Sequence, residues 1–166
     1  MENLEQILTK LNNKEQKYIL DLILIDPVSQ SKNKKAFEMD IVEEIKKAEH
    51  IGYNLGLIMI DINNFKEYND YYGHECGNNT IKNVAQSIIY HTKSYDTFYR
   101  YGGDEFIMLL PDTNERQLQK IQKRIKANVM GDHNISLSVG YAQYHNQTIE
   151  EFIHCADMKM YKDKRK

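Results

Sequence analysis

Asp61 and the adjoining pair Asp104-Glu105 are the residues whose type and setting could do chemistry. Asp61 closes the run Asn54 to Asp61, which holds the longest apolar stretch of the chain, and Asp104-Glu105 follow Gly102-Gly103 between two β-prone segments. An acid at the C-terminal end of a buried strand leaves the core and meets solvent, a frequent place for chemistry in open sheets. Double glycine between β-prone segments predicts a hairpin with Asp104 and Glu105 at its tip. If that hairpin pairs beside the Asp61 strand, three carboxylates converge. Crowded carboxylates repel unless a cation lies between them, and Mg²⁺ takes carboxylate oxygens together with substrate phosphates. Two such ions about 4 Å apart clamp the attacking and leaving oxygens of a phosphoryl transfer. Taken singly, the hairpin acids also describe a solvated turn, and Asp61 a helix cap or solvent contact. The flanking residues decide between these readings.

A sheet is needed to hold these groups, and the apolar periodicity predicts one. Leu4, Ile7, Leu8 and Leu11 predict an amphipathic helix over residues 3–20, dimerising, connecting or packed on the domain. Residues 26–33 read as a polar loop. Phe37, Ile41, Ile45 and Ala48 mark a helix over 34–50, which Gly52 ends. Residues 54–61 are apolar on both faces, as in a central strand. A short helix over 65–71 is broken by Gly73, and a longer one over 77–91 buries Ile81, Val84, Ala85 and Ile88. Strands over 97–101 and 106–110 form the hairpin. Asp112 with Glu115 predicts a capping box for a helix that buries Leu118, Ile121, Ile125 and Val129. Ile135, Leu137, Val139 and Tyr141 alternate as in a strand buried on one face. Thr148 with Glu151 predicts a second capping box, opening a helix that buries Ile149, Phe152, Ile153, Ala156 and Met160. The order β-α-α-β-β-α-β-α describes an α/β ferredoxin-like palm sandwich, a central antiparallel sheet flanked by helices. Residues 1–25 read as a helical linker and 26–166 as one catalytic-type domain.

Bulk composition narrows the class. The 166 residues, 41% hydrophobic and 28% charged, suit one globular domain. A formal net charge of −2 does not suggest a partner in nucleic acid or a membrane surface. No apolar run approaches the ~20 residues that span a bilayer, and the first residues lack a signal peptide's pattern. A cytoplasmic location is expected. Cys76 and Cys155 have no metal-ligand spacing and read as two thiols or, in principle, a pair.

Arg100-Tyr101-Gly102-Gly103-Asp104-Glu105-Phe106 reads RYGGDEF, and on it the chain resembles the GGDEF family of diguanylate cyclases. Asp61-Ile62-Asn63-Asn64-Phe65-Lys66, then Asn69-Asp70 and Gly73-His74, is similar to the family's DIDxFKxxND…GH segment. Asp26-Pro27-Val28-Ser29 with Asn33-Lys34 resembles its DxLTxLxNR opening. Ser138-Val139-Gly140 resembles its SxG strand, and Ala156-Asp157 with Tyr161 and Lys164 its ADxALYxAK closing helix. The resemblance implies condensation of two GTP into cyclic di-GMP with loss of two pyrophosphates, each 3′-hydroxyl attacking the other nucleotide's α-phosphorus. It implies Asp61, Asp104 and the backbone carbonyl of Ile62 as ligands of two Mg²⁺ per site, with Mn²⁺ as substitute. Asp104 would be the general base, a role less needed for a metal-bound hydroxyl than ligation. Glu105 would lie beside the metals, Gly102 and Gly103 would let backbone approach the phosphates, and Lys66 and Lys164 would neutralise phosphate charge. Asn69 would read guanine, and His74 would line the nucleotide pocket. One domain holds one nucleotide, so catalysis implies a homodimer. A degenerate module that binds GTP without turnover is the reading from a different class. A reverse-transcriptase-like or CRISPR-type palm shares the carboxylates, but the DxxxFKxxN segment argues against it.

Departures from the family pattern bear on specificity and control. Asn78 stands where the family usually has an aspartate that accepts from guanine N1–H and the N2 amino group. Asparagine offers one acceptor and one donor, a pair that can match adenine. GTP is the favoured substrate, and ATP use with a mixed or adenine product is the alternative. Lys93 and Asp96 replace the family's inhibitory RxxD, and lysine lacks arginine's planar fork; weak product inhibition is expected. Asn63 replaces the second acid of DIDxF, which is no principal ligand. A further family arginine beyond the closing helix is missing, with Arg165 as a possible substitute.

Overall fold

The computed structural model describes residues 11–93 and 95–165. Leu4, Ile7 and Leu8 of the first expected helix lie outside them. Within them Leu11 and Asn12 are not helical. Asn12 is an extended N-cap whose side chain accepts from Lys14 and Glu15 N–H, while Glu15 accepts from Asn12 N–H. This capping box starts α1 (Asn13–Leu24).

The remaining helices are α2 (Lys34–Ile51), α3 (Phe65–Tyr72), α4 (His74–Tyr90), α5 (Glu115–His133) and α6 (Ile149–Lys164). The strands are β1 (Lys32–Asn33), β2 (Leu55–Ile62), β3 (Thr97–Arg100), β4 (Glu105–Pro111) and β5 (Leu137–Gln143). They form one sheet in the order β1-β3-β4-β2-β5. The four longer strands are antiparallel, which is the ferredoxin-like arrangement. The pair β1–β3 is parallel, through Lys32↔Tyr99 and Asn33↔Arg100. Two residues carry no readable period, so this edge strand lay inside the expected polar loop.

The period of two along β2 divides the core. Ile58, Ile60 and Ile62 pack with Ile81, Val84 and Ile88 of α4 and Leu118, Ile125 and Val129 of α5. Leu55, Leu57 and Met59 pack with Phe37 and Ile41 of α2 and Phe152, Ala156 and Met160 of α6. Every residue of β2 is buried, as its two-sided apolar pattern requires.

The capping box of α6 forms as expected, between Thr148 and Glu151. The box expected at Asp112–Glu115 does not form. Asn114 caps α5 instead, accepting from Gln117 N–H while Gln117 accepts from Asn114 N–H. Asp112 has φ 49°, and the next N–H, of Thr113, donates to Asn54 O at 3.0 Å. Aspartate tolerates this left-handed geometry, so it makes the turn and the cap moves on to Asn114.

Candidate active site

Asp61 and Glu105 are a cross-strand pair, the last of the β2–β4 register. Counting by two from Leu57 and Met59, and from Ile107 and Leu109, sends both side chains to the face covered by α2 and α6. The two carboxylates therefore stand side by side where directly opposed residues meet. Asp61 is 6% exposed, and Glu105 is half-buried. Asp104 sits at the hairpin tip, and its carbonyl accepts from Ile62 N–H at 3.2 Å, tying the tip to the end of β2.

Asp61 and Glu105 both respond to burial and to neighbouring acids. Burial pushes Asp61 above its ordinary value, and Asp104 adds to this, outweighing a lysine at contact distance. Burial likewise pushes Glu105 up, reinforced by Asp61, Asp104 and Asp157. The lysine is Lys164, the last residue of α6, whose Nζ lies 2.7 and 2.9 Å from the two oxygens of Asp61. The bond to Asp61 raises its own pKa. Concentrated negative charge with an ammonium resting on it suits a hard divalent cation. Among the described residues, however, no three acid, His or Cys side chains are gathered into a ready metal cage.

Two features hold this arrangement that the residue types did not announce. Gly140 of β5 lies against α6 so closely that a Cβ there would meet Ala156 O at 2.0 Å and Met160 N at 2.2 Å. This contact lets α6 cross the sheet and deliver Lys164. The SxG match was the available signal, without a reason attached. The second feature is Arg100. Its guanidinium donates to Gly102 O at 3.2 Å, to Gly103 O at 3.2 and 2.7 Å, and to both oxygens of Asp26 at 3.0 and 3.2 Å. Asp26 also accepts from Ser29 N–H at 2.7 Å and Val28 N–H at 3.1 Å. Burial alone would raise Asp26, but the bonds from Ser29 and Arg100 hold it below its ordinary value. The opening loop and the hairpin are thereby locked together.

The two hairpin glycines differ in purpose. Neither is in the left-handed region, so the signal for a two-residue turn found the right hairpin through a different geometry. Tyr101 and Gly102 N–H both donate to Glu105 O, at 2.9 and 3.2 Å. A Cβ on Gly102 would come within 2.8 Å of Glu105 Oε2, whereas one on Gly103 would meet nothing within 4 Å.

A second group lies at the α3–α4 junction. Gly73, at φ 85°, ends α3 and immediately begins α4, three residues earlier than periodicity suggests. Gly77 is buried against Asn69, whose Oδ1 would lie 1.8 Å from a Cβ there. That Oδ1 is buried without a partner among the described residues. His74 and Asn78 are exposed on the first turns of α4. Lys66 is exposed on α3 and makes no hydrogen bond or ion pair among the described residues. The structure thus joins Asp61, Asp104, Glu105 and Lys164, and separately Asn69 and Gly77. Among the described residues, no hydrogen bond or ion pair links Lys66, His74 or Asn78 to the carboxylates. A cavity of about 480 Å³ bordered by Ile62, Phe65, Tyr68 and Thr80 touches none of the acids. A space of about 440 Å³ does border Glu105, with Asp157, Tyr101 and Met59.

At the positions of the inhibitory motif, Lys93 N–H donates to Asp96 Oδ2 at 3.0 Å, and Asp96 Oδ1 is buried without a hydrogen-bond partner among the described residues. Lys93 borders a cavity of about 170 Å³ with Lys120 and Arg124 of α5, which the sequence reading did not single out.

The family model described as "Diguanylate cyclase, GGDEF domain" matches residues 23–166. The chain belongs to the GGDEF family. Diguanylate cyclase DosC of Escherichia coli strain K12 is 30% identical over 171 aligned positions, taking in 97% of this chain and 37% of that protein. Diguanylate cyclase A of Treponema denticola is 30% identical, taking in 93% of this chain and 44% of that protein. This GGDEF chain therefore spans less than half the length of these curated relatives. The crystal structure of the GGDEF domain of DgcB from Caulobacter crescentus, in complex with c-di-GMP, superposes with a TM-score of 0.81 at 27% identity, covering 86% of this chain and 88% of that one. The coiled coil and GGDEF domain of the same protein shares the fold, with a TM-score of 0.86 at 24% identity over 92% and 86% of the two chains. Among the described residues of this GGDEF chain, no helix is long and apolar enough to cross a membrane.

Proposed function

We propose that this GGDEF domain condenses two nucleoside triphosphates, GTP in the favoured reading, into a cyclic dinucleotide with release of two pyrophosphates. The observation that carries the proposal is the Asp61–Glu105 pair, closed by Asp104 at the hairpin tip and capped by the Lys164 ammonium. Such a site needs cationic charge, and its fit is to Mg²⁺, two per site, with Mn²⁺ as substitute. Asp61, Asp104 and the Ile62 carbonyl would hold the ions. When bound, they supply charge neutralisation at the reacting phosphate and acidify the attacking hydroxyl.

The chain's own groups then have distinct tasks. Asp104 takes the proton of the 3′-hydroxyl as its oxygen bonds to the partner nucleotide's α-phosphorus and the bond to pyrophosphate breaks. The same exchange in the opposite sense closes the ring. Glu105 adds negative charge beside the ions. Lys66, exposed and unpaired among the described residues, and Lys164 neutralise phosphate oxygens. Gly102 keeps clear of Glu105, and Gly103 leaves open space for the phosphates. Asn69 reads the base, and His74 lines the nucleotide pocket. Each domain carries one nucleotide, so the working form is a homodimer with its sites face to face. The cytoplasm is the matching compartment, because it supplies the nucleotides.

Asn78 supports a second reading of base choice. It offers one donor and one acceptor, a pair that can match adenine. Loss of one hydrogen bond to a base edge costs roughly 1–3 kcal/mol, enough to relax a preference for GTP.

The test is incubation of the purified chain with GTP, ATP or both in Mg²⁺, with products identified by mass spectrometry and Asp104→Asn as control. Cyclic di-GMP and pyrophosphate are expected, lost in the control. A mixed or adenine product would establish the second reading. No pyrophosphate from any mixture sinks the proposal and leaves a module that binds without turnover.

A further inference from the structure

We propose that Lys164 is a built-in cation that competes with the divalent metal for Asp61, and so couples metal binding to triphosphate binding. The inference rests on the proposed function, in which Asp61 holds metal and Lys164 meets phosphate. The geometry points to an exchange between two states of the same side chain. Nζ reaches both oxygens of Asp61, at 2.7 and 2.9 Å. Those oxygens belong to a carboxylate side chain only 8% exposed, whereas the lysine side chain is 42% exposed. The anion is fixed in the sheet. The cation stands on the last residue of a helix, on a long and partly exposed stem.

Electrostatics makes the two states exclusive. Asp104 and Glu105 crowd Asp61, and Asp157 bears on Glu105. The crowded acids favour a cation at Asp61, and Lys164 is that cation in the free chain, at 2.7 and 2.9 Å from its two oxygens. A divalent ion on the same oxygens would lie at contact distance from the ammonium, and like charges so close expel one another. The released ammonium is then free for a phosphate. Conversely, a triphosphate that draws Lys164 away uncovers Asp61 for metal. Each ligand strengthens the other by the same factor, as linkage requires. The free chain binds metal weakly, and the metal–nucleotide pair is preferred to either alone.

Mn²⁺ is the probe, and free ion is measured by electron paramagnetic resonance on the full chain without nucleotide. Lys164→Met is expected to bind Mn²⁺ about tenfold more tightly than wild type. A non-hydrolysable GTP analogue should tighten Mn²⁺ binding less in this variant than in wild type, and Lys164→Arg should keep the coupling. Unchanged or weaker Mn²⁺ binding by a folded Lys164→Met overturns the inference. Wild type gives a second measurement that needs no variant. Acetylation of Lys164, followed by mass spectrometry, should accelerate when Mg²⁺ is added alone, and an unchanged rate overturns the inference equally. Cyclic dinucleotide formation without this response sinks the exchange and leaves the function standing. The response without product formation does the reverse.

Discussion

Gly140→Ala adds one methyl group to β5 at the point where α6 crosses it. The added carbon would lie 2.0 Å from Ala156 O, 2.2 Å from Met160 N and 2.9 Å from Met160 Cα. Ordinary contacts are longer than the first two by roughly 1 Å or more. All three struck atoms are helix backbone, so no side-chain rotation relieves the collision. Gly140 is not in the left-handed region, and backbone strain adds nothing to the cost. Overpacking a tight core costs about 1–3 kcal/mol, and a rigid obstacle argues for the upper end, about 3 kcal/mol. The assay is urea unfolding at fixed pH, with Gly103→Ala as the matched control. The control's Cβ meets nothing within 4 Å, so its stability should stay within about 0.5 kcal/mol of wild type. Gly140→Ala should unfold at clearly lower urea and show slower pyrophosphate release. Equal midpoints for the two alanine variants would refute the claim that this glycine sets the position of α6.

Further expectations follow from the site's charges. Glu105→Gln should raise the urea midpoint of the metal-free chain near neutral pH, because burial and the neighbouring acids hold the Glu105 pKa above its ordinary value. A raised acid contributes stability in its protonated form that is lost as pH rises through the folded-state value. The variant's advantage should therefore fade as pH falls below the ordinary carboxyl range, and an advantage independent of pH would contradict this. Asp26→Asn has the opposite sign. Its carboxylate is held below the ordinary value in a pair with Arg100 that is only 16% exposed on each side. The variant should cost about 1–3 kcal/mol near neutral pH, the difference closing as pH falls through the lowered Asp26 value, and turnover should drop as the hairpin loosens. Cyclic di-GMP at micromolar levels should inhibit wild type weakly, because Lys93 lacks the planar fork of arginine. Lys93→Arg should strengthen inhibition, since Arg124 and Lys120 already border the same small cavity; strong inhibition of wild type would contradict this.

Much of this molecule is local and was legible in the sequence. The two-sided apolar run of β2, the hairpin at Gly102-Gly103 and the Thr148–Glu151 cap all form, because period and capping chemistry act over a few residues. The alternation from Ile135 to Tyr141 found β5 but not its burial: the strand starts at Leu137 and is buried on both faces, because Ser138, Gly140 and Ala142 lie under α6. Local signals failed where two neighbouring solutions competed. Asp112–Glu115 and Asn114–Gln117 both fit a capping box, and the bond from Thr113 to Asn54, far away in sequence, decided for the second. β1 was invisible because two residues have no period, yet it sets the opening loop beside Arg100. The residues of the candidate site could be named from the sequence, but not their relations. Asp61 faces Glu105 only because β2 pairs with β4 in this register. Lys164 reaches Asp61, 103 residues earlier, only because Gly140 lets α6 lie on the sheet. The sequence by itself determined which elements form and which groups can bear charge. Tertiary structure decided which charges meet, since strand order and helix placement depend on contacts between segments far apart in the chain.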